Sequence, residues 1–406
     1  MSVSVEEALN IIINSIEIKD FEIVPIENVT SRISAEKIYA TSSSPKFNNS
    51  AMDGYAILFD DKDNELIVTN KIFAGDDNQD ILKAGRTIKV MTGARVPQNC
   101  EAVIAQEDVE ITGNKIKINY DVKKMQHIRF VGEDIQKGEL LIDIGDEINF
   151  SKVTLLASQG ISHIKVYKKP KIVVFASGEE LKLHYQPIKD YQIYNSNTPT
   201  FISRAQELGC DVSFIGQAHD SIESIKEYIN NSLNADLIIT SGGVSVGEAD
   251  FTRESFTQVG LDTLFDGIIV KPGKPTIFGK IKDTFILNLP GNPLASAMVF
   301  EMVGKIIIQK MIGSKNFYHN FITTKLGKNL LNKKGRLTLL PGFFDGEKFN
   351  PSDKKSPGMI SILSECNSFI VLNEDITKLN ENHIVKVLPI NWKFFCDKKK
   401  DYITYE

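Results

Sequence analysis

Residues 236–252 read Asp-Leu-Ile-Ile-Thr-Ser-Gly-Gly-Val-Ser-Val-Gly-Glu-Ala-Asp-Phe-Thr. The apolar run over 236–240 reads as a buried strand, and it passes directly into a glycine- and serine-rich loop that ends in acidic residues. Such a loop suits an anion. Gly242 and Gly243 let backbone amides come close, Ser241 and Ser245 add hydroxyl donors, and Asp250 suits a divalent cation riding on that anion. A plain strand-to-helix connection has the same outline, so the surrounding chain has to decide between them.

Outward from this loop the hydrophobic period alternates. It predicts strand over 171–176, helix around 199–208, strand over 212–216, helix over 221–233 and strand over 236–240. That repeated βαβ pattern implies a parallel sheet, whose binding crevice lies at the carboxyl ends of the strands. Ser177-Gly178-Glu179-Glu180-Leu181, Asp220 and the 241–250 loop all fall at that edge, so three connections bring acidic groups to one place.

Before the sheet, Ser4 and Glu7 form a capping-box pattern, and Val5, Ala8, Leu9, Ile12, Ile13 and Ile16 follow at helical spacing. A Ser/Pro-rich stretch, 41–45, leads into short alternating runs at 65–70, 87–92 and 115–119. Residues 147–165 return to a helical pattern, ended by Lys168-Lys169-Pro170; after Gly313, runs at 321–326, 336–340, 369–372 and 383–388 suggest a small closing β domain. The expected organisation is multidomain α/β plus β. It has a helical linker region from 1–45 and 135–168, a mostly-β domain over 46–134, an α/β parallel-sheet domain over 169–313 and a C-terminal β domain over 314–406.

Composition narrows the function classes. The 406 residues carry 47 Lys and Arg against 52 Asp and Glu, a net charge of −5, with no basic block before Lys398-Lys399-Lys400, which excludes nucleic acid as the main partner. Cys100, Cys210, Cys366 and Cys396 stand far apart with no C-x-x-C spacing, which fits a reducing cytoplasm rather than a zinc site or a disulfide framework. The apolar stretch 294–312 is broken by Glu301, Lys305 and Lys310, and no membrane span or secretory leader is expected.

Seven segments in order then carry a resemblance: Pro45-Lys-Phe-Asn-Asn-Ser-Ala-Met-Asp-Gly-Tyr-Ala56, Met91-Thr-Gly-Ala94, Val131-Gly-Glu-Asp-Ile135, Ser177-Gly-Glu-Glu-Leu181, Ser241 through Phe251, Lys271-Pro-Gly-Lys-Pro275 and Leu289-Pro-Gly-Asn-Pro293. Together they resemble the MoeA-type molybdopterin molybdenumtransferases, a family shared with the E domain of gephyrin. The resemblance implies a central domain similar to MoaB and Mog, an inserted mostly-β domain, a helical linker region and a C-terminal small β-barrel. It also implies insertion of molybdenum from molybdate into adenylylated molybdopterin with release of AMP, dependent on magnesium. It further implies a homodimer with shared active sites, in which Asp53 and Asp134 reach the partner's cleft, and makes a molybdopterin adenylyltransferase a candidate partner.

The resemblance assigns residues as well. Glu180, Asp220 and Asp250 become candidate magnesium ligands, and Asp53, Asp134, Glu180 and Asp250 the catalytic carboxylates. Lys271, Lys274 and Pro275, with Arg336 and Ser356 from the last domain, form an oxyanion site. Thr92, Ser177, Gly178, Ser241, Gly242, Gly243, Ser245 and Asn292 line the cleft. Each has a plainer reading beside it. Asp53-Gly54 and Thr92-Gly93 suit turns, Asp134 suits a loop, Asp220 suits a helix N-cap, Glu179 and Glu180 suit the first turn of a helix, and the lysines suit a solvated surface. The chain departs from the family pattern at Arg95, Ser177, Ala295 and Pro357; the change at Ala295 removes one possible oxyanion donor. Two other functions stand behind the first: the adenylyltransferase of the same fold, which the flanking domains disfavour, and a gephyrin-like scaffold, which has no need of the acidic cluster or the lysine pair kept here.

Overall fold

The computed structural model describes residues 2–18, 20–77, 79–242, 251–392, 399 and 401–403. At its centre six strands form one sheet, in the order Asp211–Ala218, Lys171–Ser177, Leu237–Ser241, Thr284–Leu289, Ile277–Ile281, Asp262–Asp266. The first four run parallel, as the βαβ alternation requires. The last two join through antiparallel pairings and extend a sheet that sequence reading took only as parallel. Ile172, Val174, Leu237 and Ile239 point to one face, Val173, Phe175 and Ile238 to the other, and all are buried. Burial on both faces explains why these strands read as unbroken apolar runs.

One face is covered by the helix Asn197–Glu207 and by a long helical stretch built from Pro293–Val299, a π-helical turn Phe300–Gly304 and Lys305–Met311. The N-terminal helix Val5–Ser15 joins this layer through Val5, Ala8 and Ile12, started by the anticipated capping box of Ser4 and Glu7. Helices Ile222–Asn230 and Phe251–Gln258 cover the other face around Ile225, Ile229 and Phe256.

The inserted unit is a second six-stranded sheet in which Gly54–Ile57 lies between Arg86–Val90 and Ala102–Ala105. A Cβ on Gly54 would sit 2.0 Å from the Ile104 carbonyl oxygen, so this glycine is fixed by strand-to-strand approach rather than by a turn. The unit hangs from a double crossing of the chain at Ser44 and Ile135, whose backbones bridge. Below it, strand Phe21–Pro25 pairs antiparallel with His163–Tyr167, against helix Phe150–Ser158. The helical pattern expected over 147–165 therefore stops at Ser158. Gly160, at φ 69°, turns the chain, and the alternation Ile164, Val166 belongs to a strand.

At the C-terminal end, strands Leu337–Phe344, Lys348–Pro351, Ile322–Leu326, Ile384–Pro389 and Ser368–Leu372 pair in a ring that returns to Leu337–Phe344, closing a small barrel around Leu340, Phe349, Ile370 and Val387. Leu339, Ile362 and Phe369 point instead into the central core and weld the barrel to it.

Candidate functional site

Strand order arranges the chemistry along the carboxyl edge of the central sheet. After Ala218 come His219 and Asp220; after Ser177 come Gly178, Glu179 and Glu180; after Ser241 comes Gly242; after Leu289 come Gly291 and Asn292. Lys274 and Pro275 immediately precede the next strand, whose Ile277 pairs with Asn288 at the same edge. Strands lie about 4.8 Å apart, so roughly 15–20 Å separate the acidic end from the lysine end.

The acidic end is tied together from within. Asp220 accepts the Glu179 amide at 3.1 Å, so it bridges two strand ends, while Ser221 next to it caps the following helix by accepting from the Ser224 amide. The N-cap reading of Asp220 therefore belongs to Ser221. Gln217, absent from the sequence reading, donates its amide to the carbonyls of Gly178 and Leu181 at 2.5 and 3.0 Å and pins the loop that carries Glu180. The Glu180 carboxylate lies over Gly178, where a Cβ would come 2.9 Å from it, and Gly178 stands at φ 144°, open only to glycine. Glu179, Glu180, Gln186, Tyr191, Gln192 and His219 border an open cavity of about 640 Å³.

In the middle, glycine replaces side chains. Gly242 has φ 98°, and a Cβ on it would approach the Ser177 carbonyl to 2.8 Å; a Cβ on Gly291 would meet Gly242 at 3.6 Å. Asn197 holds these loops in register. Its buried amide donates to the Gly291 carbonyl at 2.8 Å and to the Ser241 hydroxyl at 3.4 Å. The Asn195-Ser-Asn197 spacing just before a helix was the available signal, and it reads only as capping; Asn195 does cap Thr198. Gly243, Ser245 and Asp250 lie outside the described residues. Among the described residues no cluster of three His, Cys, Asp or Glu is arranged to hold a metal. Glu180 and Asp220 nonetheless supply carboxylate oxygens, the donor type that a hard divalent cation takes.

At the far end the residues 271–275 form a rigid cationic turn. Gly273 stands at φ 115° against Val299, with Thr276 donating its hydroxyl to the Gly273 carbonyl, while Lys271 and Lys274 are exposed. The strand Val270–Lys271 pairs in parallel with Leu337 and Thr338 of the barrel, which puts Arg336 at the adjoining position. None of Lys271, Lys274 and Arg336 forms an ion pair with a described residue. Ser356, also exposed, sits in the barrel loop whose Pro357 carbonyl accepts the amides of Leu294 and Ala295 at 2.9 and 3.3 Å. That contact occupies the helix start after Asn292, so the amides there already have a partner.

Asp53 and Thr92 meet each other. The Asp53 carboxylate accepts the Thr92 amide at 2.7 Å and its hydroxyl at 2.8 Å; the amide bond, then the hydroxyl, hold its pKa below the usual carboxylate range. Asp134 is exposed beside the Ser44 crossing, whose carbonyl accepts its amide. Among the described residues no hydrogen bond, ion pair or hydrophobic cluster joins the 46–134 unit to the central sheet. Asp53, Thr92 and Asp134 thus make no bond with Glu180 or its neighbours within one chain.

Comparison with known proteins agrees with this layout. Residues 3–160 match the MoeA N-terminal region (domain I and II), residues 173–310 a probable molybdopterin binding domain, and residues 323–390 the MoeA C-terminal region (domain IV). The molybdopterin molybdenumtransferase of Haemophilus influenzae is 34% identical over 91% of this chain and 94% of its own length. This chain belongs to the MoeA family of molybdopterin molybdenumtransferases. Within that family, the molybdopterin biosynthesis MoeA protein of Pyrococcus horikoshii has a similar crystal structure, at a TM-score of 0.83 and 30% identity, covering 97% of this chain and all of its own. The MoeA-family protein of Staphylococcus epidermidis is 29% identical over 95% of this chain. Membership places the chain in molybdenum cofactor biosynthesis. No helix among the described residues is long and apolar enough to cross a membrane.

Proposed function

We propose that this protein inserts molybdenum from molybdate into adenylylated molybdopterin and releases AMP, with magnesium as the supporting cation. One observation carries the reading: the central sheet's edge holds carboxylates at one end and Lys274 at the other, where Lys271 and Arg336 join it from the adjoining barrel sheet, all three without ion-pair partners among the described residues and with glycine between the two ends. Substrate of both characters fits that order. Lys271, Lys274 and Arg336 would receive the molybdate dianion, the Arg fork and the two ammonium groups supplying donors. Glu180, Asp220 and Asp250 would hold magnesium, which neutralises phosphate charge when bound. Ser177, Ser241, Gly242, Gly243 and Ser245 would present hydroxyls and amides to the phosphate link, with Asn197 and Gln217 keeping the loops in place.

The lack, among the described residues, of any bond or shared hydrophobic cluster between the unit carrying Asp53 and Asp134 and the central sheet supports a homodimer with shared sites, each β unit completing the partner's edge. In this reading a molybdopterin adenylyltransferase supplies the substrate, in the cytoplasm. The test is direct. Purified protein with adenylylated molybdopterin, molybdate and magnesium should release AMP stoichiometrically with molybdenum incorporation, and a protein that leaves both substrates intact overturns the assignment. Mixing Asp53→Ala chains with Glu180→Ala chains should restore part of the activity, since mixed dimers hold one intact site; no recovery on subunit exchange removes the shared-site element.

A further inference from the structure

The segment between Leu181 and Asn195 leaves the acidic end of the edge and forms the outer wall of the cavity. Its shape is set by two glutamines acting in the same way. The Gln186 carbonyl oxygen accepts the Leu183 amide at 3.0 Å, and the Gln192 carbonyl oxygen accepts the Lys189 amide at 3.1 Å. Each side chain closes a four-residue turn with its oxygen and is thereby oriented. Each NH₂ group is then left without a hydrogen-bond partner among the described residues. Both glutamines border the cavity, and so does Tyr191, a residue 70% exposed. Lys189 lies 5.8 Å from the centroid of that ring. Two immobilised amide donors beside an exposed aromatic face suit a flat heterocycle with acceptor nitrogens: the ring stacks on Tyr191 while the amides read its edge.

We infer that Tyr191, Gln186 and Gln192 form the nucleobase subsite of this cleft, taking the adenine of the AMP moiety. This rests on the proposed function, and strand order sets which end of the substrate arrives here. The molybdate-receiving cations lie at the Lys274 end, the metal-holding carboxylates lie between, and the Tyr191 wall lies past them on the side away from the lysines. A substrate with its phosphate link at Glu180 and its dithiolene toward Lys274 extends its nucleoside end toward Tyr191. The cavity of about 640 Å³ has room for a nucleoside monophosphate.

The experiment uses the full-length protein with AMP as probe, titrated by calorimetry in the presence of magnesium. Tyr191→Ala should weaken AMP binding about tenfold or more, since stacking on an aromatic ring contributes on the order of 1–3 kcal/mol per base. Tyr191→Phe, which keeps the face, should bind as the parent does. Gln186→Met with Gln192→Met, which keep the stems and remove the donors, should weaken AMP and erase its advantage over CMP. The molybdate concentration for half-maximal turnover should stay unchanged in all of them. If the parent binds AMP and the variants bind it equally well, the subsite is wrong and the proposed function stands. If Tyr191→Ala instead raises the molybdate requirement, the wall serves the other end of the substrate and the inference falls. A parent protein that neither binds nor releases AMP overturns both.

Discussion

Removing one lysine of the 271–275 turn tests the anion end of the edge. The turn is stiff: Gly273 at φ 115° leaves a hypothetical Cβ only 2.1 Å from Val299 Cγ2, and the Lys274 carbonyl accepts the amides of both Ile268 and Thr276 at 2.9 Å. Neither ammonium group is neutralised by a described carboxylate, and Arg336 adds a third positive charge across the strand pair Val270–Leu337. A charge-assisted hydrogen bond to an anion contributes about 1.5–3 kcal/mol, and the solvent exposure of these side chains favours the lower figure. At about 1.4 kcal/mol per decade, Lys271→Ala or Lys274→Ala should raise the molybdate concentration for half-maximal turnover roughly tenfold. The assay is AMP release against molybdate at fixed adenylylated pterin, repeated at two ionic strengths. Added salt should weaken the parent more than either variant, because screening acts on the charge each variant lacks. Gly273→Ala keeps both charges but must displace Val299 or the turn, so it should shift the same parameter and also lower the melting temperature. An unchanged molybdate dependence with weakened pterin affinity would refute the reasoning and reassign these lysines to the substrate phosphate.

Two further outcomes follow from groups behind the site. Glu301 and Arg204, with 6% and 17% of their side chains exposed, meet in a two-point pair at 2.6 and 3.0 Å, and Arg204 also reaches Glu207 and the Ile390 carbonyl; Glu301→Ala removes the buried partner but leaves Glu207, so it should lose about 1–3 kcal/mol, whereas Arg204→Met with Glu301→Met should melt near the parent, and a single variant within about 0.5 kcal/mol of the parent by urea denaturation would show the pair to be inert. Burial, and then Lys305, push the pKa of His319 below its usual value, while its Nε2 faces the Met302 carbonyl at 2.9 Å and is assigned the proton of a neutral ring. The unfolded chain therefore binds this proton first, and the stability contribution present above about pH 6.5 is lost as pH falls below it, so His319→Gln should flatten the stability profile between about pH 7 and 5; parallel profiles would exclude the histidine.

What could be read from sequence divides along contact range. The capping box at Ser4 and Glu7, the βαβ alternation from Lys171 to Ser241 and the run of turn glycines are local signals, and the fold follows them. The antiparallel strands Asp262–Asp266 and Ile277–Ile281 were missed because they interrupt the alternation with a hairpin-like pair that no helix separates. The two-residue strand Val270–Lys271 was invisible for a different reason, since its partner lies in the barrel more than sixty residues away. Site geometry shows the same split. The carboxylates and lysines were legible as residue types in unusual loops, whereas Asn197 and Gln217 act through hydrogen bonds between loops that only the folded sheet brings together.

The strand order also bears on the proposal that an acid from outside the crevice completes the site. Lys171–Ser177 and Asp211–Ala218 are neighbours, so Glu180 and Asp220 crowd one end, and the lysine end is held three to four strand spacings away by the geometry of the sheet. Asp53 has the properties that such an acid requires: two donors from Thr92 fix its orientation, and they hold its pKa low, so it stays charged at neutral pH. A fixed anion opposite the lysines would compete with molybdate for them, whereas one opposite Glu180 and Asp220 would add a ligand to a cation. The β unit hangs by the Ser44 and Ile135 crossing and, among the described residues, shares no hydrogen bond, ion pair or hydrophobic cluster with the central sheet, which supports the proposal that a second copy of the chain delivers that carboxylate to the acidic end. On this reasoning Asp53→Asn should lower magnesium affinity and leave the molybdate dependence unchanged, and a magnesium titration of AMP release that is identical for variant and parent would place Asp53 outside the cation's reach.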